Sequence, residues 1–183
     1  MAKGITVWVL AVFALLLVGC KSANKSPGQA TSSAENYPNL TARANELGEA
    51  LGRKDYAKVV DLTYPKVIES AGGRDKLLAA MTNELKTMEA EGVQIISSKT
   101  SPPSQFVHDA GGIYAVVPMT SKFKAQDGIF QVEGSLIAIS TDAGQNWTFI
   151  DATGKDQSEL KKFLPNFEKL NVPPEKPPVK VAS

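Results

Sequence analysis

The side chains best suited to nucleophilic, acid–base and metal chemistry are scarce in this chain. It contains a single cysteine, Cys20, and a single histidine, His108. An intramolecular disulfide, a pair of thiolate ligands and a histidine relay are therefore excluded. The sequence also lacks a phosphate-binding glycine loop and a nucleophile elbow, so it predicts neither a metal site nor a bound cofactor.

Tyrosine and carboxylate chemistry needs no fixed spacing, so its candidates are chosen by their predicted positions. His108 precedes Asp109, but neighbouring residues of a regular strand point to opposite faces and cannot form a base with its orienting carboxylate. A general acid or base would instead have to come from side chains that line a cavity. The candidates for such a lining are Tyr64, His108, Tyr114 and Glu133.

A turn motif runs from Ser140 to Trp147. Asp142 can accept hydrogen bonds from N–H groups of the turn, Gly144 can adopt a positive φ, and the tryptophan can pack the base of a hairpin. The motif resembles the Asp-box of sialidases and other glycan-active propellers, although Asn146 stands where that pattern prefers threonine. A single copy without a propeller favours a structural turn, with carbohydrate binding as the alternative.

The N-terminal segment has the order of a bacterial export signal. A basic start with Lys3 precedes an apolar run over residues 5–18, which is shorter than the roughly 20 residues of a membrane-spanning helix. The run ends in Leu17-Val18-Gly19-Cys20, which resembles the lipobox of bacterial lipoproteins. That resemblance implies a diacylglyceryl group on the Cys20 sulfur, removal of residues 1–19, and acylation of the new amino terminus.

Two or more acyl chains hold a protein stably on a bilayer, so the resemblance predicts a cell-envelope protein attached to a membrane through Cys20. Lys21 follows the cysteine, where aspartate is typical of inner-membrane retention in Gram-negative bacteria, so the outer membrane is favoured. The sequence leaves open whether the domain faces the periplasm or the cell surface. Residues 20–37 are rich in Ser, Ala and Lys and predict a flexible tether.

A period of 3.6 residues predicts three helices before any strand. The first spans about 39–51, and the second begins near Lys54 and ends or kinks at Pro65. The third spans about 74–91, and its apolar stripe is predicted to lie in the core. The stripe consists of Leu77, Leu78, Met81, Leu85 and Met88.

Alternation with a period of two then predicts an antiparallel meander of strands. The predicted strands span about 93–100, 105–109, 112–124, 128–140 and 146–152. Asp127-Gly128 is a strong signal for a hairpin turn between the two longest strands. A short helix is predicted over 157–164, and the proline-rich residues 169–183 predict a disordered tail.

Helices followed by strands are typical of an α+β domain, which we place at residues 38–168. The order over 38–153 resembles the NTF2-like, or cystatin-like, α+β cone. That resemblance implies about three N-terminal helices packed on a curved antiparallel sheet of four to five strands, a short C-terminal helix, and a cavity at the open end. Segments at 64–66, 140–151 and 163–167 also resemble a group of uncharacterised bacterial envelope proteins, which adds no activity.

The charge balance and composition of the chain limit the classes of partner that the sequence predicts. The chain has 20 Lys and Arg against 19 Asp and Glu, so no basic excess predicts binding to nucleic acid. The sequence favours a non-catalytic binding or association role for a membrane-anchored protein, with a small apolar ligand or a protein as the partner. The alternatives are an isomerase- or dehydratase-type enzyme that uses the cone cavity, and an assembly protein that forms a homodimer through its sheet.

Overall fold

The computed structural model describes residues 37–164 and 167–182, with the backbone alone at Phe167. These residues belong to one compact unit, and the buried apolar side chains among them lie between Leu40 and Leu170. A fragment that starts at Ser32 therefore contains every buried apolar side chain of the described residues. The predicted export signal, Cys20 and the tether before Tyr37 lie outside the described residues.

Four helices precede the sheet, where the sequence predicts three. Pro65, which the sequence predicts to end or kink the second helix, begins a separate short helix, because a proline at the first helical position loses no hydrogen bond. Asp55 caps the second helix by accepting the Lys58 N–H at 3.1 Å. The helices are α1 (Pro38–Gly52), α2 (Tyr56–Asp61), α3 (Pro65–Ser70) and α4 (Arg74–Ala90).

A curled antiparallel sheet follows the helices, which confirms the α+β class. Its strands are β1 (Gln94–Thr100), β2 (Gln105–Asp109), β3 (Gly112–Ala125), β4 (Gly128–Ser140), β5 (Thr148–Asp151) and β6 (Val179–Ala182). The β3–β4 hairpin forms the centre, with β1 and β2 along the free edge of β3 and with β5 and β6 along that of β4. The described residues thus supply six strands instead of the predicted four to five, because β6 comes from the tail.

Successive residues of β3 point to opposite faces of the sheet and enter two separate cores. On one face, which we call the helix face, Ala115 and Val117 belong to the same core as Leu40 of α1. On the opposite face, which we call the tail face, Val116 shares a core with Leu160 of the last helix, α5 (Gln157–Phe163). The single sheet is therefore covered on both faces, by α1 on one and by the C-terminal segment on the other.

This cover extends over only part of the sheet. We call the part of β3 from Thr120 to Ala125, with the residues that pair with it, the hairpin half. On the helix face of this half, Ile95, Phe123 and Phe130 are half-buried, and the two phenylalanines pair across β3 and β4. The hairpin half is therefore the less covered end of the sheet.

The C-terminal tail is ordered along the sheet, in contrast to the disorder that its composition predicts. Leu170 is buried in the core of the tail face, and β6 pairs with β4 opposite Ile129, Phe130 and Gln131. All four side chains of β6 are exposed, so this strand adds ladder hydrogen bonds but little apolar burial. Amino-acid composition does not predict β6, because composition is a property of the tail alone. The strand forms because the tail pairs with the free edge of β4.

Candidate functional site

The structure brings two of the four predicted cavity residues together. Tyr64 is buried in the core of the tail face, and Tyr114 is half-buried against that core. Burial raises the pKa of the Tyr114 phenol, and the charges of Tyr64 and Asp109 raise it further. The Tyr114 phenol therefore stays protonated at neutral pH, where it can share a hydrogen bond but cannot act as a base.

A small pocket opens beside Tyr114. It is lined by Val107, Asp109, Tyr114, Leu164 and Leu170. Its empty volume of about 250 Å³ includes open solvent, and the enclosed part has room for about one water molecule. Lys169 Nζ lies 2.7 Å from Asp109 Oδ2, so the carboxylate of this pocket is in an ion pair. The arrangement can hold a water or a single polar atom, and it is too small for an organic substrate.

The other two predicted cavity residues lie elsewhere. His108 has its exposed side chain on the helix face, whereas Tyr114 lies on the tail face. Glu133 shares the tail face but lies opposite Thr120, which is about 20 Å along β3 from Tyr114 at roughly 3.4 Å per residue. Glu133 Oε2 lies 2.8 Å from Lys176 Nζ, and this contact raises the pKa of the lysine. The four residues do not form one site.

The turn from Ser140 to Trp147 uses its polar side chains internally. Asp142 Oδ1 accepts the N–H groups of Gln145 at 3.1 Å and Asn146 at 2.9 Å, and the Asn146 amide donates to Oδ2 at 2.7 Å. Ser140 Oγ donates to Asp142 Oδ1 at 2.8 Å. These hydrogen bonds, led by those from Asn146, lower the pKa of Asp142 to about 2. The carboxylate is thus ionised at neutral pH and is occupied by the turn itself.

The same turn holds the start of α1. Asn39 Nδ2 donates to the carbonyl oxygens of Gly144 at 2.6 Å and Gln145 at 2.9 Å. The Tyr37 ring meets Trp147 edge-on, with 5.3 Å between ring centroids. Trp147 is only 1% exposed, and its Nε1 donates to the Gly144 carbonyl at 3.2 Å. A buried indole cannot offer its face to a sugar ring, so these contacts support the structural role and not carbohydrate binding.

The apolar stripe of α4 is not part of the core, so that prediction is wrong. No residue of α4 is buried, although Met81 packs against the core of the helix face. α4 packs mainly against α2 and α3 and makes few contacts with the sheet. Helical periodicity identifies an apolar face but does not show whether another element covers it. We call the half-buried remainder of the stripe the α4 surface; it comprises Leu77, Leu78, Leu85 and Met88.

Within residues 37–164 and 167–182, no helix is long and apolar enough to cross a membrane. In the same ranges, no three His, Cys, Asp or Glu side chains come close enough together to hold a metal ion. Comparison of the whole chain with family models, curated proteins and solved structures found no match.

Proposed function

We propose that this protein is a lipid-anchored component of the bacterial cell envelope whose domain binds another protein, without catalysis, through the α4 surface. The observation that supports this proposal is the position of the stripe on α4. A helix of 17 residues has four large apolar side chains on one face, and all four remain half-buried. The part of this apolar face that α2 and α3 leave uncovered favours association, because covering it removes that area from water.

The pocket beside Tyr114 favours a protein over a small ligand as the partner. A typical ligand site encloses about 300–1,000 Å³, whereas this pocket has room for about one water molecule. The α4 surface, by contrast, extends about 17 Å along the helix from Leu77 to Met88, at roughly 1.5 Å per residue. Such a strip fits the apolar face of a helix from a partner protein, packed side by side.

The element order supports an NTF2-like arrangement for the domain. Helices come first, α1 covers one face of a curled sheet, and the β3–β4 hairpin forms the centre of that sheet. Two features differ from the arrangement that the resemblance implies. The chain adds the short helix α3, and its C-terminal segment covers the tail face and adds β6 to the sheet.

The location in the proposal depends on Leu17-Val18-Gly19-Cys20. Replacing Cys20 with serine is expected to abolish acylation and retention in the membrane, because the thioether-linked lipid needs the cysteine sulfur. The measurement is intact mass after expression in a Gram-negative host, combined with metabolic labelling by an alkyne palmitate. We expect the wild-type chain to begin at Cys20, to carry acyl groups and to fractionate with the outer membrane.

Because Cys20 is the only cysteine, labelling by the palmitate analogue needs no further assignment. A matched control is the replacement of Lys21 by serine, which leaves the lipobox intact and should keep the acyl groups. An unmodified wild-type chain, or equal labelling of the Cys20→Ser variant, would contradict the lipoprotein proposal.

The α4 surface can be tested with a photoreactive amino acid in living cells. Glu84 is exposed and lies beside the stripe on the helical wheel, whereas Lys86 is exposed and lies opposite it. We expect one discrete crosslinked protein from position 84 and none from position 86. Replacing both Leu78 and Leu85 with serine should remove that adduct and weaken binding of the purified, identified partner at least tenfold.

The outcomes of this experiment separate the candidate partners. A crosslink to a second copy of the chain would favour the homodimer, and an adduct that survives the double leucine replacement would contradict the role of the α4 surface. Each half-buried leucine should contribute only about 1 kcal/mol to folding. Circular dichroism of the double variant will show that the loss of binding is not a loss of structure.

A further inference from the structure

The hairpin half of the tail face carries a group of lysines without carboxylate partners. Lys122 and Lys124 alternate along β3, and Lys99 of β1 lies opposite Thr120, so all three side chains point to the same face. All three are exposed, and none forms an ion pair with a carboxylate of the described residues. A chain whose net charge is only +1 thus carries a local positive patch, which overall composition does not reveal.

Two lysines of the C-terminal segment are paired with carboxylates. Lys169 pairs with Asp109 at 2.7 Å, and Lys176 pairs with Glu133 at 2.8 Å. These two ion pairs link the C-terminal segment to strands of the sheet. The three lysines of β1 and β3 have no such use in the fold.

Apolar side chains lie beside these lysines on the same face. Val179 of β6 pairs with Gln131, which in turn pairs with Lys122, and Val179 is 61% exposed. Ile129 pairs with Lys124 and is half-buried. α5 packs on the tail face only in the other half of the sheet, where Val116 and Leu160 share the core. An exposed surface that combines lysines with aliphatic groups is typical of contact with the headgroup region of a membrane, because the lysine stems lie among apolar groups while the ammonium groups bind phosphates.

We propose that the hairpin half of the tail face docks on an anionic bilayer, with Lys99, Lys122 and Lys124 against acidic headgroups and Val179 at the interface. The inference deepens the proposed function and depends on it, since the acyl anchor would confine the domain near the bilayer. Electrostatic attraction contributes roughly a fivefold gain in binding for each lysine near such a surface. Docking on the tail face leaves the α4 surface on the other side of the sheet, where it is open to a partner protein.

The test uses the fragment 32–183, which contains every buried apolar side chain of the described residues and lacks Cys20. It is mixed at low ionic strength with vesicles of phosphatidylcholine alone, or of phosphatidylcholine with phosphatidylglycerol, and bound protein is measured by flotation. We expect binding to the anionic vesicles only, with about fivefold weaker binding for each lysine replaced by glutamine. Added salt should also weaken binding, because exposed charges are screened.

The matched control replaces three exposed lysines elsewhere, Lys66, Lys76 and Lys86, with glutamine, which makes the same change in net charge. We expect this triple variant to bind as the unmodified fragment does, and circular dichroism will verify the fold of both triple variants. Absence of binding to anionic vesicles, or equal loss in the two triple variants, would overturn the docking proposal. Because the fragment carries no acyl group, its result is independent of Cys20, so failure of docking and failure of lipidation are distinguishable.

Discussion

Replacing Trp147 with alanine is expected to lower the free energy of unfolding by about 3–5 kcal/mol, the usual cost of removing a large buried aromatic side chain. Trp147 is 1% exposed, lies in the core of the helix face and meets the Tyr37 ring. Because small domains typically have a free energy of unfolding of only about 5–15 kcal/mol, this single change should remove a large part of the stability of the domain. Urea unfolding of the fragment 32–183, followed by far-UV circular dichroism, measures the change.

A phenylalanine at position 147 is the matched control for this prediction. It keeps an aromatic ring in the core but loses the hydrogen bond from Nε1 to the Gly144 carbonyl. The expected cost is smaller than that of alanine, because most of the buried area remains. If Trp147→Ala lowers the free energy of unfolding less than Trp147→Phe does, or if neither variant changes it, the buried Trp147 ring does not stabilise the domain.

Replacing Gly144 with alanine is expected to destabilise the domain by about 2–4 kcal/mol, for two additive reasons. Its φ of +86° lies in the left-handed region, which a residue with a Cβ atom adopts only with strain. A Cβ atom there would also lie 2.4 Å from the Cε1 atom of Tyr37, so the ring would have to move. Thermal unfolding monitored by circular dichroism provides the measurement.

Gly52 offers a matched glycine for comparison. It is the last residue of α1, it has no positive φ, and a Cβ atom there would meet nothing within 4 Å. Alanine at this position should be neutral or stabilising by up to about 1 kcal/mol, because it reduces the entropy of the unfolded chain. Similar losses at both positions would show that the Gly144 effect is a general consequence of removing a glycine.

Much of the sheet could be predicted from the sequence because its signals are local. Period-two alternation and the turn at Asp127-Gly128 place both strands of the β3–β4 hairpin within a residue of their observed ends. Pro65 carries a weaker signal, since a proline can follow one helix or begin another. The prediction of three helices failed at that residue, where α3 begins.

The candidate site was harder to predict, because it depends on contacts between distant segments. Tyr64 and Tyr114 are separated in sequence by two helices and two strands, and no local pattern shows that they meet in one core. The exposure of the α4 surface has the same cause, since it depends on the placement of α4 against α2 and α3. The alternation of Lys122 with Lys124 is visible in the sequence, but the addition of Lys99 and Val179 requires the register of β1 and β6.

The contacts of Asn39 have a mechanical consequence. The segment that carries Cys20 joins the folded domain at Tyr37, so any force transmitted along that segment enters the domain there. Two residues later, the Asn39 side chain donates hydrogen bonds to the Gly144 and Gln145 carbonyls. Tyr37 itself packs against the Trp147 ring. A pull from the membrane would therefore be shared with the turn between β4 and β5, instead of being borne by the first turn of α1 alone. Under the proposed anchoring, this turn lies where a load from the membrane would enter the described domain.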